Sequence, residues 1–180
     1  MRLLTDAEVI ARFGKFTYSE ATGGRIIITD RKWLAANIEK FTIPIIGNIW
    51  AHFDAAMSLF RIFHWLEVDG KADLVDVGEF KKNIAGVWVP RHKFHNSKRG
   101  LSRHSWGIAI DLNVKDNPVG AIDKQPAELV KRFEAEGWYW GGNFAGMNRD
   151  PMHFEVGDTF KTLQPIPPDV KTPYRYEDPA

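Results

Sequence analysis

The sequence predicts an α+β fold with a small antiparallel sheet and helices packed mainly on one side of it. Three observations carry this expectation. Apolar residues recur at helical steps through residues 50–66, and they alternate with small or polar ones through residues 107–114. Between these stretches, helical and extended patterns follow one another without the regular alternation of a doubly wound parallel sheet.

The elements are justified in chain order. Thr5, Asp6, Ala7 and Glu8 have capping-box spacing, and Val9, Ile10 and Phe13 follow at helical intervals, so a short helix opens the chain. Residues 25–29 (RIIIT), after the Gly23-Gly24 turn, read as a β-branched strand. Asp30 then caps a helix with Trp33, Leu34 and Ile38 on one side. Residues 41–46 read as extended, interrupted by Pro44 and turned by Gly47-Asn48. From about Trp50 to Leu66 the apolar side chains Phe53, Ala56, Met57, Phe60 and Phe63 form a wide stripe, the central helix of the core.

VDVGEF (75–80) and GVWVP (86–90) read as short extended pieces, and RHKFHNSKRGLSRH (91–104) as a basic loop. In GIAIDLNV (107–114), Ile108, Ile110, Leu112 and Val114 point one way while Gly107, Ala109, Asp111 and Asn113 point the other. Pro126 starts a helix running to Glu136, with Leu129, Val130 and Phe133 inward, a Glu128–Arg132 pair outward and Gly137 as the stop. GWYWGGNFAGMNRDP (137–151) reads as an aromatic, glycine-rich loop, and MHFEV (152–156) as a last strand. The organisation expected is one domain over residues 1–164 and a proline-rich tail over 165–180.

Composition narrows the function. The 180 residues are 44% apolar and 26% charged with a net charge of +1, which describes a folded domain with no general attraction to nucleic acid or anionic membrane. The absence of cysteine excludes thiolate metal sites, disulfides and a cysteine nucleophile. Any metal must therefore sit on histidine and carboxylate. Asp6 and Glu8 stand where a secretory signal would need an apolar core, and no segment has the length of an apolar membrane span. A chain made in the cytoplasm without an export signal or membrane insertion is expected.

The chemistry concentrates at two places. Asp111 projects from the small-residue face of its strand, where a buried carboxylate needs a partner. His104 lies just before that strand, with Ser105-Trp106-Gly107 to bend the chain back, and His153 opens the last strand. Two histidines and an aspartate from separate elements make a three-ligand metal site with an open fourth position, as catalytic zinc uses. Asp150, held in a turn by Pro151, is a candidate general base beside it. In the last strand, Glu155 shares His153's face, either as its hydrogen-bond partner or as an exposed strand residue.

Residues 102–111 (SRHSWGIAID) fit S-x-H-x-x-G-x-A-x-D, and residues 150–155 (DPMHFE) fit D-x-x-H-F-E, with Trp140-Gly141-Gly142 before them. In these motifs the chain resembles the zinc D-alanyl-D-alanine carboxypeptidase and L-alanyl-D-glutamate endopeptidase family, which includes phage endolysin peptidases. The resemblance spans roughly Trp50 to Val156. It implies one zinc ion per chain on His104, Asp111 and His153, on the open face of the sheet, with Asp150 as the base. It also implies Arg91 as the group that polarises the substrate carbonyl, with Arg99 and Arg103 as competitors, and Ser102 as a contact beside the site. The dipeptidase branch has glutamate where this chain has Asp150, which argues against that branch.

The implied reaction is hydrolysis of an amide bond in a peptidoglycan stem peptide, by a monomer acting at the bacterial wall after release, as an endolysin does. Trp140 is expected to wall the substrate cleft. Two alternatives compete: a non-catalytic zinc-containing wall-binding module, and a metal-dependent nuclease using the basic loop around His92 and His95. Like His52 and His64 on the central helix, most lone histidines are structural.

Overall fold

The structure, a computed structural model, describes residues 1–82 and 86–161. The tail expected over residues 165–180 lies outside them. The chain runs α1 (Asp6–Phe13), β1 (Tyr18–Glu20), β2 (Ile26–Ile28), α2 (Arg31–Asn37), β3 (Ile38–Ile43), β4 (Gly47–His52), α3 (Phe53–Val68), α4 (Val77–Lys81), β5 (Ala109–Asp111), α5 (Ala127–Ala135), β6 (Trp138–Trp140) and β7 (His153–Val156), with short 3-10 turns between. The α+β class holds. Among the described residues the single small sheet resolves into three antiparallel ones: the hairpins β1-β2 and β3-β4, and a three-stranded sheet in the order β5-β7-β6.

Local signals explain most helix starts. Both hydrogen bonds of the Thr5/Glu8 capping box are made, and the Asp30 side chain accepts from Trp33 N. Pro126 precedes α5, whose Leu129, Val130 and Phe133 are buried, and Gly137 leaves it at φ 85°. Glu128 and Arg132 attract each other as expected, and their direct ion pairs run to longer-range partners: Glu128 binds Lys71, and Arg132 binds Asp69.

Several expectations need correction. The central helix begins at Phe53, because residues 47–52 form β4, in which Ile49 and Ala51 face the core and Trp50 faces out. The turn is made by residues 44–46, with Ile45 at φ 67°, rather than by Gly47-Asn48. Ile38 leaves α2 and opens β3. VDVGEF holds α4, capped by Asp76 onto Gly78 N, instead of an extended piece. The strand of residues 107–114 keeps its alternation but pairs only over β5, since Asn113 turns away at φ 52°. The aromatic loop contains β6, which pairs with β7 at Trp138↔Val156, Tyr139↔Glu155 and Trp140↔Phe154.

The core sits behind the three-stranded sheet. Phe133 of α5 lies between Phe63 of α3, edge-on at 6.1 Å, and Phe154 of β7, at 4.4 Å between ring centroids. Pleating then sends the opposite set of side chains, Ala109, Asp111, His153, Glu155 and Tyr139, to the other face. That face carries the site.

Gly107 fixes how the first motif enters this sheet. Its φ is 67°, and a Cβ there would come 2.7 Å from His52 N, on a β4 backbone whose N–H donates to Gly107 O. Gly107→Ala combines a left-handed backbone with overpacking, so we expect a loss of about 2 kcal/mol or more in denaturant unfolding.

Candidate metal centre

Residues 103–106 form one 3-10 turn that Gly107 ends, and this turn aims His104 back at β5. Asp111 on β5 and His153 on β7 are direct cross-strand partners. The three side chains meet at three short contacts: His104 Nε2 to Asp111 Oδ1 at 3.2 Å, His153 Nδ1 to Asp111 Oδ1 at 3.0 Å, and His104 Nε2 to His153 Nδ1 at 3.3 Å. Two imidazole nitrogens and a carboxylate oxygen converging this closely are donors that could hold a cation. Ligands about 2.0–2.1 Å from a tetrahedral ion stand roughly 3.3 Å apart, so the spacing fits zinc.

The outer nitrogen of each ring is also fixed. His104 Nδ1–H donates to Val87 O at 2.9 Å, and His153 Nε2–H donates to Glu155 Oε2 at 2.9 Å. Such bonds point the inner nitrogens toward each other and Asp111, where each presents the lone pair that a metal needs once any proton on it has left. Glu155 is thus His153's partner, buried at 7% exposure, and the exposed alternative falls.

Electrostatics in the metal-free cluster match this picture. Burial pushes the His104 imidazole below its ordinary pKa, outweighing Asp111. Burial pulls on His153 too, but hydrogen bonds and charge from Asp111 and Glu155 raise it to about 10. Burial opposes ionisation of Asp111, yet the two histidines hold its carboxyl well below the usual range. A proton on His153 Nδ1 thereby supplies the positive charge that this anionic pocket draws in.

Asp150 stands at the edge of the same pocket. Its segment is held by Asp150 N–H to Gly141 O at 3.0 Å, and a Cβ on Gly141 would come 2.4 Å from Asp150 O. Its Oδ1 is buried without a hydrogen-bond partner among the described residues, and burial raises the carboxyl to about 6. A carboxylate with a free, desolvated oxygen and a pKa near neutrality has the properties of a general base.

Arg91 reaches the cluster from far upstream. Ser105 clamps its backbone twice, and Ser102 N–H donates to Arg91 O at 3.0 Å. The guanidinium then lies 3.6 Å from Asp111 Oδ2 and donates to Ser102 Oγ at 3.3 Å. Of the competing arginines, Arg99 packs over Phe94 at 4.7 Å, and Arg103 is committed to Asp6, Leu4 O and Glu155.

Asp111, Asp150, His153, Arg91 and Ser102 open into one cleft of ≈ 900 Å³. Trp140 does not line it. Alternation along β6 puts Trp140 on the core face, packed on Gly142 and donating Nε1–H to Pro151 O at 2.8 Å. Tyr139 lines the cleft instead, stacked on Phe144 at 5.8 Å. Reading residues 137–151 as a loop hid this, because only a strand assignment tells which aromatic faces the site. The Val87 carbonyl left no signal in the sequence at all.

The other histidines have separate tasks. His52 caps α3 and contacts Asn37, and His64 stacks on Phe60. His92 joins Glu20 to the Arg99 carbonyl, and His95 reaches Gly23 O, so both pin the basic loop. Among the described residues, no helix is long and apolar enough to cross a membrane. No solved structure matches the chain. Residues 95–156, the segment that holds His104, Asp111, Asp150 and His153, match the D-alanyl-D-alanine carboxypeptidase family.

Proposed function

We propose that the chain is a zinc-dependent peptidase that hydrolyses an amide bond in peptidoglycan stem peptides. The observation that carries the reading is the convergence of His104, Asp111 and His153 beside a carboxylate, Asp150, whose buried oxygen has no hydrogen-bond partner among the described residues. When bound, zinc supplies Lewis-acid polarisation and a water acidified toward a pKa of about 7.

The residues around it do the rest. Asp150 takes a proton from the attacking water and returns it to the leaving amine nitrogen. Arg91, steadied by Ser102, donates to the oxyanion that develops on the substrate carbonyl. The Val87 carbonyl and Glu155 keep both imidazoles in the tautomers that face inward. Tyr139 and Phe144 offer an aromatic wall against which a peptide can lie.

Two bonds are candidates. The likeness of residues 150–155 to the closing motif of the endopeptidase and phage-endolysin branch favours L-alanyl-D-glutamate cleavage, with an endolysin as the setting. The description of the matching family favours D,D-carboxypeptidase action. Mass spectrometry of muropeptides after digestion separates them: a new N-terminal D-glutamate marks the endopeptidase, and released D-alanine marks the carboxypeptidase. Intact stems from a zinc-loaded protein would leave the wall-binding reading in its place.

A further inference from the structure

Arg103 lies inside the first motif at a position between two named residues, yet it is 4% exposed and is not one of the converging metal donors. An arginine is rarely buried without acceptors for its whole fork. Here NH1 donates to Asp6 Oδ1 at 2.7 Å, and NH2 donates to Leu4 O at 2.7 Å. Both acceptors lie at or just before the start of α1, some hundred residues away in sequence. The remaining donor, Nε, is buried with no hydrogen-bond partner among the described residues and faces Glu155 Oε1 at 3.5 Å. The other oxygen of that carboxylate, Oε2, receives the His153 Nε2–H bond.

We propose that Arg103 is a positioning residue for the metal centre: anchored on Leu4 O and Asp6, it holds the Glu155 carboxylate in the orientation that turns His153 Nδ1 toward His104 and Asp111. The inference rests on the zinc-site reading above and adds to it a support that starts at the N-terminal helix. Glu155 has one oxygen for each donor, so its two contacts define its plane together. Without the guanidinium, the carboxylate is free to rotate about its own axis, and the imidazole it supports loses its fixed direction. Loss of an outer partner of this kind costs about 10–100-fold in metal affinity.

The test is a double-mutant cycle read by zinc affinity, measured by competition with a chromophoric chelator, on the full chain. Arg103→Gln removes the cation, and Glu155→Gln leaves a single acceptor oxygen for two donors. Each is expected to weaken zinc binding about 10–100-fold, and the double variant no more than the worse single one, because both act through one contact. Arg103→Lys, which keeps a cation but whose compact ammonium cannot span the acceptors that the guanidinium fork reaches, is expected to fall between wild type and Arg103→Gln. Where Arg103→Gln does not fold, Arg103→Lys takes its place in the cycle under the same criterion. A folded Arg103 variant with wild-type zinc affinity, or losses that multiply in the double variant, overturns the proposal while the zinc site stands. A wild-type chain that binds no zinc overturns the site reading and this inference with it.

Discussion

Asp150→Ala is expected to reduce kcat/KM for peptide hydrolysis by roughly 10²–10⁴-fold while zinc content and fold persist. The loss falls on proton transfer, since Asp150 is separate from the converging donors and its backbone contacts to Gly141 survive the substitution. Muropeptide release by the zinc-loaded variant is the measurement. Lysis at the wild-type rate would remove Asp150 from the role of base.

The same residue predicts an effect of opposite sign on stability. Burial lifts its carboxyl from an ordinary 3.8 to about 6, so between those values the folded state binds a proton that the unfolded chain does not. Stability of the metal-free protein therefore falls as pH rises through this window, and the cost stays in place above it. Asp150→Asn removes the cost. At neutral pH the metal-free variant should be more stable than wild type by about 1–3 kcal/mol, and at pH 3 the difference should vanish. A residue that lowers stability where it is ionised, and raises activity there, is placed for chemistry rather than for packing.

Asp111→Ala is expected to abolish zinc binding at micromolar metal, a loss larger than the roughly 10–100-fold cost of an outer partner. Its Oδ1 is the one atom in contact with both inner imidazole nitrogens, so its removal deletes a ligand and separates the other two. Proton release gives a second readout. In the metal-free protein His153 holds its proton, raised to about 10 by its bonds to Asp111 and Glu155 against the pull of burial, whereas a ligand imidazole must be neutral. Zinc uptake at pH 7 should then release a proton from His153, detected by calorimetry in buffers of different ionisation enthalpy. Retained tight zinc binding in Asp111→Ala would show that the metal sits elsewhere.

The cluster was legible in the sequence because its members lie on short, strongly patterned segments. Strict alternation in residues 107–114 and 153–156 says which side chains leave the core, and the turn before β5 needs Gly107 for the backbone it adopts. The sequence misleads where a segment's period is ambiguous. β4 and the start of α3 share an apolar run that fits either period, and β6 lies among glycines and aromatics, so the pattern points to Trp140 where Tyr139 faces the cleft.

The sequence by itself determined the capped starts of α1 and α2, the two motif strands and the donor types, since each depends on neighbours within a few residues. Only the tertiary structure decided what holds those donors. The Val87 carbonyl on His104, the Ser105 clamp on Arg91, and the line from Leu4 and Asp6 through Arg103 to Glu155 each join residues distant in the chain. The physical reason is that a hydrogen bond between remote segments depends on how the core packs them together, and backbone carbonyls carry no residue identity that a sequence can display.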